Sequence, residues 1–304
     1  MIMTVKDVTN YLETIAPLSL QEAYDNSGFI LGNSSSDIKG VLLSLDITVE
    51  VIDEAIEQKC NLIIAHHPLI FSGIKRITEN NMVSKCIIKA IKNDINLYAI
   101  HTNFDNVLNG VNGRIADIIG LQNRAVLLPK KNLFKVSVFV PKTHKEKVLE
   151  SLFAAGAGNI GDYSDCSFSS HGKGTFKPLE GANPFLGETN KQETVSEEKI
   201  EVVVPNYLIP KVVEAIQDSH PYEEVAYDVF QLINSSNQGS GLIGNLNKPI
   251  DELEFLEIIK SKFDVKSLRH TDFLNRPIEK VAVCGGSGSF LLYNAIKKNA
   301  DIFI

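Results

Sequence analysis

Three short apolar runs, each followed by a helix-like stripe, constrain the first part of this chain more than any other feature. The runs are GVLLSLDIT (40–48), NLIIAHHP (61–68) and the opening of INLYAIHTNFDN (95–106). Such runs are short for helices and read as strands. Between them, VEVIDEAIEQKC (49–60) and MVSKCIIKAIKND (82–94) read as helices, and VNGRIADIIG (111–120) is a further helix stopping at Gly120. Strands alternating with helices predict a parallel sheet covered on both faces, with 40–48 as a buried strand. Ahead of them, Thr4 and Asp7 have the spacing of a helix start. Val5, Val8, Leu12 and Ile15 form its apolar stripe and Pro17 ends it.

The middle of the chain has a different rhythm. KVSVFVP (135–141) and KIEVVVP (199–205) match 64 residues apart, and Lys147-Val148 matches Lys211-Val212. A βα unit is repeated once. Thr143 with Glu146 predicts a capping box for the first helix, which runs to Phe153. With strands in 165–176 and 224–232, the order becomes β-α-β-β-α-β, a ferredoxin-like layout. The polar stretch 187–199 reads as a loop joining the halves, and NSSNQGSG (234–241) as the linker leaving this domain. The expected division is therefore 1–129, an inserted domain at 130–238, and 239–304 returning to the first α/β domain. The last segment reads strand, glycine-rich turn, helix, strand, and stops inside DIFI. Chemistry in α/β sheets gathers at carboxyl ends of strands, so the expectation is that this chain is part of a longer protein.

Two of the predicted strands deliver ligand chemistry to one edge. The strand at 61–65 ends in His66-His67, two of only seven histidines in 304 residues. The strand at 95–100 ends in His101-Thr102-Asn103-Phe104-Asp105. In a parallel sheet their carboxyl ends coincide, so three imidazoles and a carboxylate are expected to meet in one crevice. That donor set suits zinc, iron, manganese, cobalt or nickel. Neighbouring strand residues point to opposite faces. His66 and His67 reach one ion only if the backbone turns at them, which Pro68 favours; otherwise each serves its own ion. Two ions about 3.5–4 Å apart bridged by Asp105 would support hydrolysis. The plain alternative is two histidines bonding loops at a strand end. Asp46 could face the same crevice or start the following helix, and helix start is the preferred reading. YDNSGF (24–29) reads as a turn, with lining the pocket mouth as the alternative.

Other signals are weaker. CGGSGSF (284–290) could present amides to a phosphate or be a tight strand–helix turn; it is neither a Walker loop nor a full GxGxxG. In HPYEEVAYD (220–228), Pro221 is expected to end a helix and Tyr222 to pack, with binding at a domain rim as the alternative. No GxSxG and no cysteine beside a histidine supports a covalent hydrolase. The four cysteines are scattered without a CxxC, as in a reduced cytoplasmic protein. MIMTVKDVTN is mixed and polar, unlike a signal sequence, and no apolar stretch nears the roughly 20 residues that span a bilayer. A net charge of −7 without a Lys/Arg run argues against a nucleic-acid partner on electrostatic grounds and favours a small substrate.

Together, YDNSGFILG, LLSLDIT, IIAHHPLIFSG, HTNFDN and VAVCGGSGS resemble the Nif-three-like family (YbgI/YqfO type, GTP cyclohydrolase type 2 homologues). The resemblance covers 1–129 and about 239–304. The 130–238 insertion resembles the PII/CutA-like domain of the longer members. The resemblance implies two divalent metal ions, zinc foremost, at the sheet edge. His66 and His67 match the paired family histidines, Asp105 the carboxylate of the HTNxD motif, and His101 its histidine, a catalytic group close to the metals. For His101 a place behind the ligands, orienting them, is the alternative to the catalytic role. The resemblance also implies a toroidal homohexamer, and further ligands, a His and a Glu, from a C-terminal segment this chain does not contain. The expected function is a dinuclear metal-dependent hydrolase acting on a nucleotide-like or phosphorylated small molecule. The alternative is a non-enzymatic metal-binding or regulatory assembly protein whose inserted domain senses a ligand.

Overall fold

A computed structural model describes residues 3–304; Met1 and Ile2 of the amino-terminal stretch lie outside the described residues. In chain order the first elements are α1 (Val5–Ile15), β1 (Gly28–Leu31), β2 (Val41–Ser44), α2 (Val49–Glu57), β3 (Leu62–Ala65), α3 (Met82–Lys92), β4 (Asn96–Ala99), α4 (Thr102–Asp105), α5 (Val111–Ile119) and β5 (Gln122–Pro129). Then come β6 (Leu133–Pro141), α6 (Lys145–Ala154), β7 (Ser167–Phe176), β8 (Glu193–Pro205), α7 (Ile209–Ser219) and β9 (Tyr227–Gln231). The last are β10 (Gly239–Ile250), α8 (Glu252–Lys262), β11 (Ile278–Val283), α9 (Leu292–Lys297) and β12 (Ile302–Phe303). The chain divides into two compact units, one comprising residues up to Pro129 with Asn237–Ile304, the other Lys130–Ser236.

The larger unit holds two four-stranded sheets. The first has the order β1-β4-β3-β2, with β2, β3 and β4 parallel and β1 antiparallel at the edge. Its centre is buried on both faces because β3 is apolar throughout. Ile63 and Ala65 pack with Ile52, Ala55, Cys86 and Ala90 of α2 and α3. Leu62 and Ile64 pack on the opposite face with Tyr98 and Val5, against which Val8 and Leu12 of α1 also lie. The Thr4–Asp7 capping box starts α1, and Gly120, at φ +91°, ends α5 in the left-handed conformation.

The 40–48 run is not a buried strand. As β2 it forms the open edge of the sheet, and Leu43 is 73% exposed and Leu45 61%. Leu42 packs towards the α2/α3 core, but the opposite face of this strand has no cover, so the alternate side chains stay exposed. The carboxyl-terminal portion does not rejoin this sheet either. It builds a second one, β12-β11-β10-β5, in which only β11 and β12 are parallel. β10 starts at Gly239, so the end of the expected linker is strand.

The smaller unit has the order β7-β8-β6-β9, antiparallel throughout. One face is covered by α6 and α7, and the core falls on pairs 64 residues apart: Val136 and Ile200, Val138 and Val202, Val140 and Val204, Val148 and Val212, Leu152 and Ile216. The expected capping box at Thr143 does not form. After Pro141 the chain makes a 3₁₀ turn over 142–144, and the Thr143 hydroxyl bonds His144 instead, at 2.9 Å. Pro205 is followed by the same turn over 206–208 before α7. The polar stretch 187–199 is half strand: β8 begins at Glu193, because pairing with β7 satisfies its backbone and Glu198 meets Lys145 and His171.

Candidate metal centre

His66 and His67 follow the last residue of β3, and backbone bonds carry the ladder one step further. The His66 amide donates to Ser44 O at 3.2 Å and the His67 amide to Leu45 O at 2.9 Å. His101 follows β4 and precedes the single helical turn α4, which ends on Asp105. That turn is fastened from outside by asparagines: Asn103 donates to Ala16 O, Asn106 to Leu20 O, and Asn112 to Asp105 O. Gly110 permits this closeness, since a Cβ there would lie 1.8 Å from Phe104 O.

The three rings converge. Their centroids are 5.0 Å (His66–His67), 5.1 Å (His66–His101) and 5.4 Å (His67–His101) apart. One ring nitrogen from each lies within 4.8 Å of the others. Asp105 is outside that set of three, but its Oδ1 approaches His66 Nε2 at 3.9 Å. Each ring is held by its other nitrogen. His66 Nδ1 lies 2.9 Å from Ile100 O, His67 Nδ1 2.7 Å from Asp46 Oδ1, and His101 Nδ1 2.7 Å from Asp25 Oδ1. A carbonyl or carboxylate oxygen only accepts, so each Nδ1 carries a proton and Nε2 is the nitrogen left to face an ion. Burial, chiefly, holds His66 below the ordinary histidine range, which keeps it neutral.

Asp105 is the odd member. Its Oδ1 is buried and has no hydrogen-bond partner among the described residues. Burial pushes its carboxyl up to about 6; His101 and His67 pull it down, while the Asp25 charge raises it further. A desolvated carboxylate oxygen beside anchored imidazoles is the donor set a divalent cation takes, with the second layer of hydrogen bonds that orients metal-bound histidines. The residues present fit such an ion.

Two further residues contribute, both at positions where sequence offered the crevice only as the alternative reading. Asp25, in the YDNSGF turn, has a fully buried side chain that receives His101 Nδ1–H, the Ser27 hydroxyl, the amides of Asn26 and Thr102, and the Thr102 hydroxyl. Asp46 was read as a helix start; instead Thr48 caps α2, and Asp46, too early in the chain to reach the helix amides, holds His67. The glycine-rich turn contributes Cys284, whose thiol burial pushes up to about 11 with the Asp105 charge adding to it. The Gly285 amide is spent on Asn112 Oδ1 at 2.8 Å, which leaves it no phosphate to serve. A cleft of about 1200 Å3 lies at the amino ends of β3 and β4, lined in part by Asn33, Asn61 and Asn96. Those asparagine side chains are engaged with backbone groups and hold the surrounding turns in place.

A profile of the Duf34/NIF3 (NGG1p interacting factor 3) family matches residues 3–304, the stretch between the two parts of the larger unit included. The chain belongs to this family. A Halalkalibacterium halodurans relative named GTP cyclohydrolase 1 type 2 homolog is 44% identical over 300 residues, covering 98% of this chain and 81% of the relative. A Bacillus subtilis relative of the same name is 40% identical over 302 residues, with the same coverages. Among solved structures, a Bacillus cereus protein related to NIF3 superimposes with TM-score 0.86 at 43% identity, covering 100% of this chain and 82% of its own. A Staphylococcus aureus family structure gives 0.75 at 32%, covering 99% and 80%. No helix among the described residues is long and apolar enough to cross a membrane.

Proposed function

We propose that this protein binds two divalent metal ions, zinc foremost, through His66, His67 and Asp105, and is a metal-dependent hydrolase of a nucleotide-like or phosphorylated small molecule. The reading rests on one observation: three imidazoles with Nδ1 anchored and Nε2 presented, beside the unpartnered buried oxygen of Asp105. The relatives' name, GTP cyclohydrolase 1 type 2 homolog, agrees with a hydrolytic reading. Bound metal would supply Lewis acidity and an acidified water. The chain's own part is positional and protolytic. Asp25, held ionised, fixes the tautomer of His101, so that His101 Nε2 takes up and returns a proton. Asp46 and Ile100 O keep the other two rings from rotating. Phe71, 6.3 Å from the His101 ring, and Tyr24 beside it give the site an aromatic flank.

We further propose that residues 130–236 are a ferredoxin-like inserted domain of the PII/CutA kind, supported by the strand order β7-β8-β6-β9. A homohexamer belongs to the same proposal, and the apolar residues exposed on β2 offer an edge for self-association.

Elemental analysis tests the metal reading. Two equivalents per chain are expected in the wild type and at least one fewer in His66→Ala. Turnover of a panel of nucleotides and phosphoesters should fall at least about 100-fold in His101→Ala, and its metal content, measured alongside, separates a lost proton carrier from a lost ligand. No bound metal in the wild type sinks the proposal, and turnover unchanged by His101→Ala removes its proton-transfer step. Light scattering should return the mass of six chains.

A further inference from the structure

On the helix-free face of the smaller unit's sheet lies a pocket of about 620 Å3 that the metal-centre reading does not use. Phe139 and Phe176 lie on its sheet side, and the 177–186 segment adds Phe185. That segment is tied in place by the Asn183 amide, which donates to Glu223 at 2.9 Å. Tyr222 is the hub, with its ring centroid 6.0 Å from Phe176 and 6.2 Å from Phe185. His220 fixes it from behind, bonding Phe139 O at 2.9 Å and accepting the Tyr222 amide.

The polar group in this aromatic setting is Glu197, which is 8% exposed. Its neighbours on β8, Glu198 and Glu201, are each ion-paired with basic side chains. Among the described residues no basic side chain pairs with Glu197, and it accepts one hydrogen bond, from the Tyr222 hydroxyl at 3.0 Å. Room for it is built in. A Cβ at Gly174 would lie 2.0 Å from Glu197 Oε2, so only glycine at that strand position leaves the carboxylate where it is. The other charged lining residues are Lys177, Glu223 and Glu224, which makes one cation against three carboxylates.

A buried carboxylate with no cation partner carries a large desolvation cost. Aromatic faces attract cations as well as apolar groups. We infer that this pocket binds a small organic cation, an ammonium or quaternary ammonium with an apolar body, whose charge lies on Glu197 and whose carbon atoms pack between Phe176, Phe185 and Tyr222. A bare metal ion is a poor fit, since one carboxylate among rings leaves most of its coordination unfilled. The pocket uses residues 130–236 alone, so the inference stands or falls independently of the metal centre.

Calorimetry and saturation-transfer NMR on the full chain test it with two isosteric probes, choline and the neutral 3,3-dimethylbutan-1-ol. The cation is expected to bind saturably, one per chain, at least about tenfold tighter than the alcohol. Glu197→Gln keeps the shape and the bond from Tyr222, and should weaken the cation about tenfold while leaving the alcohol unchanged. Phe185 is 48% exposed, so Phe185→Ala is a change the fold tolerates. It should also weaken the cation, and it carries the test alone if Glu197→Gln does not fold. No saturable binding of the cation, equal binding of the two probes, or wild-type affinity in the folded variants overturns the inference.

Discussion

Asp25 and Asp105 are carboxylates withdrawn from water beside the same histidine cluster, one touching His101 and the other approaching His66. Burial alone would raise both. In Asp25 the hydrogen bonds from His101, Thr102, Ser27 and the Asn26 amide outweigh burial and hold the group at about 2. In Asp105 nothing bonds the buried oxygen, and the group sits at about 6. What separates them is the number of donors aimed at each. The fold has completed the coordination of one carboxylate and withheld it from the other, the difference expected between a residue that orients and a residue that binds.

The harshest way to break this contrast is Asp25→Ala. It leaves His101 Nδ1 and the Thr102 hydroxyl without their acceptor, and should cost about 3 kcal/mol in urea unfolding of metal-free protein. With Asp25→Asn the loss depends on pH. The folded-state value lies below the unfolded one, so the carboxylate's contribution, about 2 kcal/mol, is fully present above pH 4 and fades as pH falls towards 2. Stability curves of wild type and Asp25→Asn should converge over that range.

Asp105→Asn should act in the other direction. Its folded-state value is raised, so ionisation favours the unfolded chain, and the penalty grows from pH 4 to 6 and is constant above. Metal-free Asp105→Asn is therefore expected to be more stable than wild type at pH 7.5, by about 1–2 kcal/mol, with the gain gone by pH 4. A loss of stability instead would mean that the buried oxygen has a partner and that the contrast is false. The finest test reads Cys284, whose thiol is raised first by burial and then by the Asp105 charge. Removing that charge in Asp105→Asn should speed iodoacetamide alkylation of Cys284 at pH 8 about twofold, followed by mass spectrometry.

The sequence made His66, His67, His101 and Asp105 visible because local patterning places them at strand ends, and a parallel sheet sends those ends to one edge. Asp25 was invisible as a partner because it meets His101 across 76 residues of chain, with no periodicity to announce the contact. Asp46 was misread because an acidic residue shortly before a helix looks like a cap until the helix start is known to be Val49. β2 was misplaced for a related reason: an apolar run shows that a strand wants cover, not whether the sheet continues beyond it. GSGLIGNLNKPI, which forms β10, alternates too poorly and carries too much Gly and Asn to read as a strand. Its partners β5 and β11, which supply the pairing, lie far off in sequence.

The repeat in residues 130–236 keeps its interior in step, valine for valine or for isoleucine, and leucine for isoleucine. Its rim does not keep step. The residue 64 positions before Tyr222 is Gly158, and the one 64 before Glu197 is Leu133. Matching core positions allow the two βα halves to share one packing scheme, while the bulky phenol and the acid occur in the second half alone. The duplicated frame thus has two equivalent corners and furnishes one of them, which sets the stoichiometry of anything held there at one per chain.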